Sequence, residues 1–376
     1  MSAIGALAPL RFPVESTRGR RFPESLPSFR NDFQRDRDRI VHSRAFRRLE
    51  AKTQVFPPGI SDHFRNRLTH TLEVAQLART AARVLGLDED FAEALALAHD
   101  IGHPPFAHSG EHALNAVLSR HGERFEHNLH ALRIVEVYEH RYALYPGLNL
   151  TFEVREGIVK HSRDLPPGTT GPLAEYLPGL KPPIEAQLID LVDEIAYNTA
   201  DTDDAHEAGF FRLSELGAAV PLAAELIDEV ETHFPAAEER IHLHEVQRRL
   251  IDHLMRGLMQ GTIEACHSAQ VHDVEAVRAH PDRLVRFTPQ AAETSRLLKQ
   301  FLHARVYHTP ILVEERDQSA AAIELLFEFL LAHPDQLPPG QPGDSLPRRI
   351  SDYIASMTDP YFRRVYASLA PQFTSR

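Results

Sequence analysis

From about Arg35 to the C-terminus, apolar residues recur at spacings of three and four, while strand-length alternation of Val, Ile and Thr is hard to find. A chain patterned in this way buries its apolar stripes by packing helix on helix, so the sequence predicts an all-α fold. Leu68, Leu72, Ala75, Ala78, Ala82 and Leu85 form one stripe of a helix that ends near Gly86. Phe91, Leu95 and Ala98 mark the next, which Asp88 is placed to cap and which Gly102 and Pro104-Pro105 stop. Pro- and Gly-rich stretches at Pro166–Pro183 and His333–Pro347 read as exposed loops within or between helical layers.

The 53 acidic residues outnumber the 41 Lys and Arg, and a net charge of −12 argues against a protein that coats nucleic acid or anionic membrane. With Cys266 as the single cysteine, an intramolecular disulfide and a thiolate zinc site are both excluded. The 23 histidines leave imidazole and carboxylate as the available metal ligands. No apolar run reaches spanning length, and the greasiest stretch, Ala320–Ala332, is interrupted by Glu324 and Glu328. Met1–Leu10 does not read as a signal peptide, so a cytoplasmic location is expected.

Four features concentrate the chemistry. Arg35, Arg37, Arg39, Arg44, Arg47 and Arg48 lie within fourteen residues, either as a polyanion site or as a solvated helix face balanced by Asp36, Asp38 and Glu50. His70 shares a helical stripe with Val74, Leu77, Ala81 and Val84, so its imidazole points inward, as a ligand or as a core histidine bonded to a carbonyl. His99-Asp100 closes the next helix, where the backbone can turn both side chains toward one ion. In Ile184–Ala205, Asp190, Asp193, Tyr197, Asp201 and Asp204 share one face while Ile184, Leu188, Leu191 and Ile195 form another. Carboxylates aligned in this way need water, a cation or basic groups to neutralise them.

His70, then His99-Asp100, then Asp193 resembles the H…HD…D signature of the HD-domain metal-dependent phosphohydrolases, and HDIGHPPFAHSGE at His99–Glu111 is similar to its triphosphohydrolase branch. Further segments resemble the bacterial dGTP triphosphohydrolases and their shorter relatives: Asn31–Phe56, Arg67–Arg79, Phe125–Asn128, Glu156–Ser162 and Asp193–Asp204, with an echo in DYIASMTDPY at Asp352–Tyr361. Ser356 stands where that last motif usually has glycine, and the total length matches the shorter branch rather than the long, strictly dGTP-specific form.

The resemblance implies an HD-domain helical bundle elaborated by C-terminal helices, one globular unit over residues 1–376. Within it fall an Arg-rich nucleotide-access segment at 31–60, a metal-binding core at 61–210 and a C-terminal helical subdomain at 211–376. It implies hydrolysis of deoxynucleoside triphosphates to deoxynucleoside and triphosphate. One divalent ion (Mn, Mg, Fe, Co, Ni or Zn) would be held by His70, His99, Asp100 and Asp193. By the same resemblance, His108 and Glu111 are the catalytic dyad, and His103 and His127 contact the α-phosphate. Arg67 lies one helical turn before His70, within reach of the same ligand, and Lys160 and His161 are further phosphate contacts. Gln54, Tyr197 and Asp201 form the sugar pocket, with the Tyr197 ring against C2′. No P-loop motif is present, in keeping with attack away from the terminal phosphate. Expected partners are deoxynucleoside triphosphates, an allosteric deoxynucleotide or single-stranded nucleic acid as regulator, and further copies of the chain, up to a hexamer. The rivals are another HD phosphohydrolase, acting on a monophosphate, cyclic dinucleotide or alarmone, and a non-catalytic nucleic-acid-binding helical protein.

Overall fold

Helix boundaries fall where the chain carries its breakers and caps. The computed structural model describes residues 4–25, 29–56 and 64–373. Helices α1 (Asp32–Val41) and α2 (Arg44–Arg48) precede α3 (Arg67–Leu85), which stops at Gly86, whose φ of 84° favours glycine. The next helix, α4 (Glu89–Ala98), starts where Asp88 Oδ1 accepts the backbone N–H of Phe91 at 2.9 Å. Beyond Gly102 come α5 (Ala107–Ser119), α6 (His127–Arg133), α7 (Phe152–Val159) and α8 (Ile184–Glu207). These are followed by α9 (Leu213–Ala219), α10 (Pro221–His233), α11 (Glu239–Ser268) and α12 (Val274–Ala279). The C-terminal helices are α13 (Pro289–Arg305), α14 (Pro310–Ala332), α15 (Leu346–Ala355) and α16 (Asp359–Phe373). Among the described residues strand pairing is confined to isolated bridges, such as Thr53 with Asn66, so the fold is all-α. No described helix is long and apolar enough to cross a membrane.

The chain divides into two units, each assembled from three segments. One comprises Met1–Arg37, Leu72–Ala96 and Thr151–Thr309. In it α8 packs on α11 and α13, and α10 packs on α9 and α11. Ile184, Leu188 and Ile195 of α8 are buried, as the apolar stripe requires, and Asp201 and Asp204 are buried too, so those two acids are not a solvated face. The other unit comprises Asp38–Thr71, Leu97–Leu150 and Pro310–Arg376. Its core joins Leu114, Val117 and Leu118 of α5 to Phe327 of α14 and Ile350 and Ile354 of α15. Glu324 of α14 turns outward, accepting from Arg120 Nη1 at 2.5 Å.

Local pairing explains three departures from the periodicity reading. Leu72 is 51% exposed, because the buried arc of α3 centres on Val74, Ala78, Ala81 and Ala82 and leaves Leu72 beyond its edge. Pro166–Pro183 is not simply an exposed loop: Tyr176 within it is fully buried, its hydroxyl accepting from Arg155 Nη1 at 2.8 Å. Nor is the arginine run a uniform surface. Arg35 donates to Glu24 at 2.7 Å, Arg37 to Asp90 at 3.0 Å, and Arg39 to the carbonyls of Leu148 and Asn149 at 2.8 and 3.0 Å. Three of its guanidiniums are therefore spent on internal structure, whereas Arg44 and Arg47 are exposed.

Candidate active site

The inward stripe of α3 delivers His70 into the interior, where it is 1% exposed, and the end of α4 brings His99 and Asp100 to it. One ligand atom from each of the three lies within 4.8 Å of the others, and the two imidazole centroids are 5.7 Å apart. Two nitrogens and a carboxylate oxygen so arranged, all buried, suit a divalent ion of intermediate softness. Asp100 also receives Arg67 Nη1 at 2.6 Å. Burial alone would push its carboxyl up, but the buried Arg67 guanidinium and the neighbouring imidazoles hold it well below the usual carboxylate range. It is thus an anion, the form in which it can ligate.

Beyond Asp100 the chain turns sharply, and two glycines make that turn fit. A Cβ on Gly102 would lie 2.0 Å from the carbonyl oxygen of His127, and one on Gly110 would lie 1.9 Å from that of Pro105. The close approach at Gly102 stacks the ring of His103 on that of His127, with centroids 3.9 Å apart. Asp100 Oδ1 stands 3.2 Å from His103 Nε2, which assigns the proton to Nε2 and leaves Nδ1 as the basic nitrogen. Burial and the nearby Arg67 push the His103 imidazole well below its ordinary pKa, so the ring is neutral. Its Nδ1 is buried without a hydrogen-bond partner among the described residues, in a position to meet a bound group.

Glu111, on the first turns of α5, departs from the pairing that local spacing suggests. Its Oε1 accepts both the backbone N–H and Nδ1 of His127 at 2.8 Å, whereas Oε2 is 3.6 Å from His108 Nδ1, an ion-pair rather than a hydrogen-bond distance. The reason is topological: α6 begins beside the start of α5, a contact that no i,i+3 argument sees. Burial works to raise the Glu111 carboxyl, but the imidazoles of His108 and His127 overcome it and hold the group ionised. His108 itself has a side chain 73% exposed. His103, His108 and Glu111 also bring one ligand atom each within 4.8 Å, so four chemically active side chains follow one another from Asp100 to the surface.

Gln54 lies in the unit that holds this cluster, half-buried, and its Oε1 is buried without a partner among the described residues. Asp193, Tyr197 and Asp201 lie on α8 in the other unit. There Asp201 accepts a hydrogen bond from the Tyr307 hydroxyl, and Lys299 Nζ stands 5.7 Å from the centre of the Tyr197 ring. Burial pushes the Tyr197 hydroxyl up to about 12. Lys160 is fully buried and donates to Glu156 Oε1 at 2.8 Å and to the carbonyls of Leu177 and Leu180 at 3.1 and 2.8 Å, so its three protons are spent and none is left for a phosphate. His161 pairs with Asp190 at 2.8 Å, and Asp190 also takes Arg283, a structural clasp. Tyr307 lies outside every segment that carries the resemblance, whereas Lys52 and Asp359 fall within Asn31–Phe56 and Asp352–Tyr361 but meet partners more than fifty residues away in sequence, which a motif does not name.

Two family models match the chain: the HD domain over residues 67–198, which takes in every ligand position above, and the phosphohydrolase-associated domain over residues 285–368. The chain is 45% identical to a deoxyguanosinetriphosphate triphosphohydrolase-like protein of Ralstonia nicotianae, over 96% of this chain and 95% of that one. The chain belongs to the HD-domain dGTPase-like family. A second relative of the same description, from an Azoarcus species, is 45% identical over 93% of this chain and 94% of its own, and one from Rhodopseudomonas palustris is 41% identical over 92% of each. As a member of that family the protein is an HD phosphohydrolase, and the buried His70, His99 and Asp100 cluster fits the metal on which HD hydrolases depend.

Proposed function

We propose that the protein hydrolyses deoxynucleoside triphosphates, dGTP among them, to deoxynucleoside and intact triphosphate by attack of water at the α-phosphorus. The observation that carries this reading is the continuity of the cluster: Asp100 joins His70 and His99 on one side and His103 on the other, and the His103–His127 stack leads to Glu111 and His108. The name carried by the relatives supports the substrate class. His70, His99 and Asp100, with Asp193 added by the family resemblance, would hold the divalent ion. When bound, that ion supplies Lewis-acid polarisation at phosphorus and a lowered pKa for water.

The chain's own groups do the rest. Arg67 faces the α-phosphate oxygens, the neutral His103 lies against the same phosphate with its Nδ1 placed to take the proton that the attacking water gives up, and His127, its ring fixed by Glu111, orients the phosphate. The bond from water oxygen to phosphorus forms as the bond from phosphorus to the 5′ oxygen breaks, and the departing oxygen takes a proton from His108, the one imidazole of the cluster with ready access to solvent. Glu111, an anion, binds the His127 ring and stands 3.6 Å from His108 Nδ1, so it orients both imidazoles. By the family resemblance Gln54 and Asp201 bind the 3′ hydroxyl, Gln54 donating from its amide nitrogen and Asp201, which also accepts from Tyr307, taking the hydroxyl proton, while Tyr197 packs against C2′. Lys160, its three protons engaged by Glu156 and the carbonyls of Leu177 and Leu180, takes no part in binding substrate. The resemblance also supports a homo-oligomer acting on a cytoplasmic nucleotide pool, with an activating deoxynucleotide or single-stranded nucleic acid as regulator, and sedimentation with and without these ligands reads both points.

Incubation with each deoxynucleoside and ribonucleoside triphosphate over Mn²⁺, Mg²⁺, Co²⁺, Ni²⁺, Fe²⁺ and Zn²⁺, followed by chromatography, is expected to give deoxynucleoside plus triphosphate, with ribonucleotides turned over poorly. Monophosphate plus pyrophosphate, or orthophosphate alone, would put the attack at another bond. The sugar assignment has its own check. Tyr197→Ala is expected to raise the kcat/KM for GTP relative to dGTP by about tenfold or more, since what it removes is a steric block. An unchanged ratio would remove Tyr197 from the sugar pocket.

A further inference from the structure

The junction of α15 and α16 spans Asp352–Asp359, whose two buried carboxylates have no task in the chemistry above. Asp359 Oδ1 accepts the backbone N–H of Phe106 at 3.1 Å, and its Oδ2 accepts that of Thr53 at 3.0 Å. Lys52, beside Thr53 and equally buried, donates from Nζ to the carbonyl of His103 and, at 3.1 Å, to that of Ala355. The turn from His103 to Phe106 is therefore gripped at its first residue by Lys52 and at its last by Asp359. Seven residues before Asp359, Asp352 accepts from Nδ1 of His130 at 3.2 Å, Nε of Arg133 at 2.9 Å and the Tyr138 hydroxyl at 2.7 Å. His130 and Arg133 belong to α6, the helix that His127 begins. One short segment thus reaches both members of the stacked pair, the turn that carries His103 and the helix that carries His127.

This is more than ordinary packing. Ile350, Ile354, Met357 and Phe362 already fill the apolar core beside the segment, and buried carboxylates and a buried lysine, even when fully hydrogen-bonded, add less stability there than apolar side chains would, so what they contribute is direction. The direction does matter, because the turn is strained. Phe106 and Ala107 have φ values of 63° and 54°, a region that residues with a side chain avoid, and such a conformation persists only where its surroundings over-determine it.

We propose that Asp359, Lys52 and Asp352 are positioning residues that hold the His103–His127 pair in register with the reacting phosphate, which makes the C-terminal segment an integral part of the active site. The proposal rests on the hydrolase reading above. In the full-length enzyme with dGTP and Mn²⁺, well below the melting temperature, Asp359→Asn is expected to lower kcat about 10- to 100-fold, the cost of misplacing a catalytic group by an ångström or less. KM and metal stoichiometry should stay within about twofold of the parent, since neither the ligands nor uniform substrate binding is touched. Ile354→Val, in the same core but away from the turn, is the control: it should lower the melting temperature and leave kcat alone. Should Asp359→Asn fail to fold, Asp352→Asn, which keeps a neutral acceptor and loosens α6, is read in the same way. A kcat equal to the parent's, or a loss shared by Ile354→Val, would overturn the proposal. If the parent itself hydrolyses no deoxynucleotide, the functional reading fails, and crystal structures of parent and variant then decide the positioning claim. Opening of the 3.9 Å stack in the variant supports it, and an unmoved turn overturns it.

Discussion

Replacement of His99 by alanine is expected to lower metal-dependent turnover by about 10³-fold or more and to bring bound metal to background, because one of two imidazole ligands is removed from a buried three-ligand cluster. The helical fold should persist. His99 is a cleaner choice than Asp100, whose loss would leave Arg67, 2% exposed, buried without its carboxylate, at a cost of about 3–5 kcal/mol that confounds chemistry with unfolding. Metal analysis of the purified variant and its circular dichroism check the two halves of this expectation. Full metal occupancy in folded His99→Ala would remove His99 from the ligand set.

His108→Ala is expected to reduce turnover by about 10²- to 10⁴-fold while metal and substrate still bind, the range for loss of a proton-transfer group. Its exposure makes the test clean, since truncating a largely solvated side chain opens no cavity. Glu111→Gln is expected to lose part of the same rate, because an amide can still accept from the His127 backbone but cannot stabilise an imidazolium. Acting as a unit, the pair should be non-additive, and the double variant little worse than His108→Ala. Steady-state kinetics on the three variants decide the matter. Multiplicative losses, or a raised KM with turnover intact, would return His108 to the surface.

What could be read from the sequence is what repeats locally. The stop at Gly86, the Asp88 cap and the inward turn of His70 all follow from residues within a helical turn or two of one another, and each is present. The same arithmetic is blind to partners brought in from afar. It pairs Glu111 with His108, three residues away, whereas the closer contact is His127, sixteen residues away. It leaves Lys160 available to a phosphate, whereas two carbonyls of the Leu177–Leu180 turn and Glu156 consume its protons. It reads the arginine run as one surface, whereas Arg35, Arg37 and Arg39 each meet a different segment of the chain. Lys52 and Asp359 stand inside the segments Asn31–Phe56 and Asp352–Tyr361 that carry the resemblance, yet the backbone carbonyls and amides they hold are partners that no motif names.

In the proposed reaction water attacks the α-phosphorus and the 5′ oxygen leaves with the deoxynucleoside. Single-turnover hydrolysis of dGTP in water enriched in ¹⁸O, with mass analysis of both products, tests it most directly. One ¹⁸O atom is expected in the triphosphate and none in deoxyguanosine. Label in the deoxynucleoside would mean attack at carbon, and labelled monophosphate or pyrophosphate would mean cleavage of a different bond, and either result would contradict it.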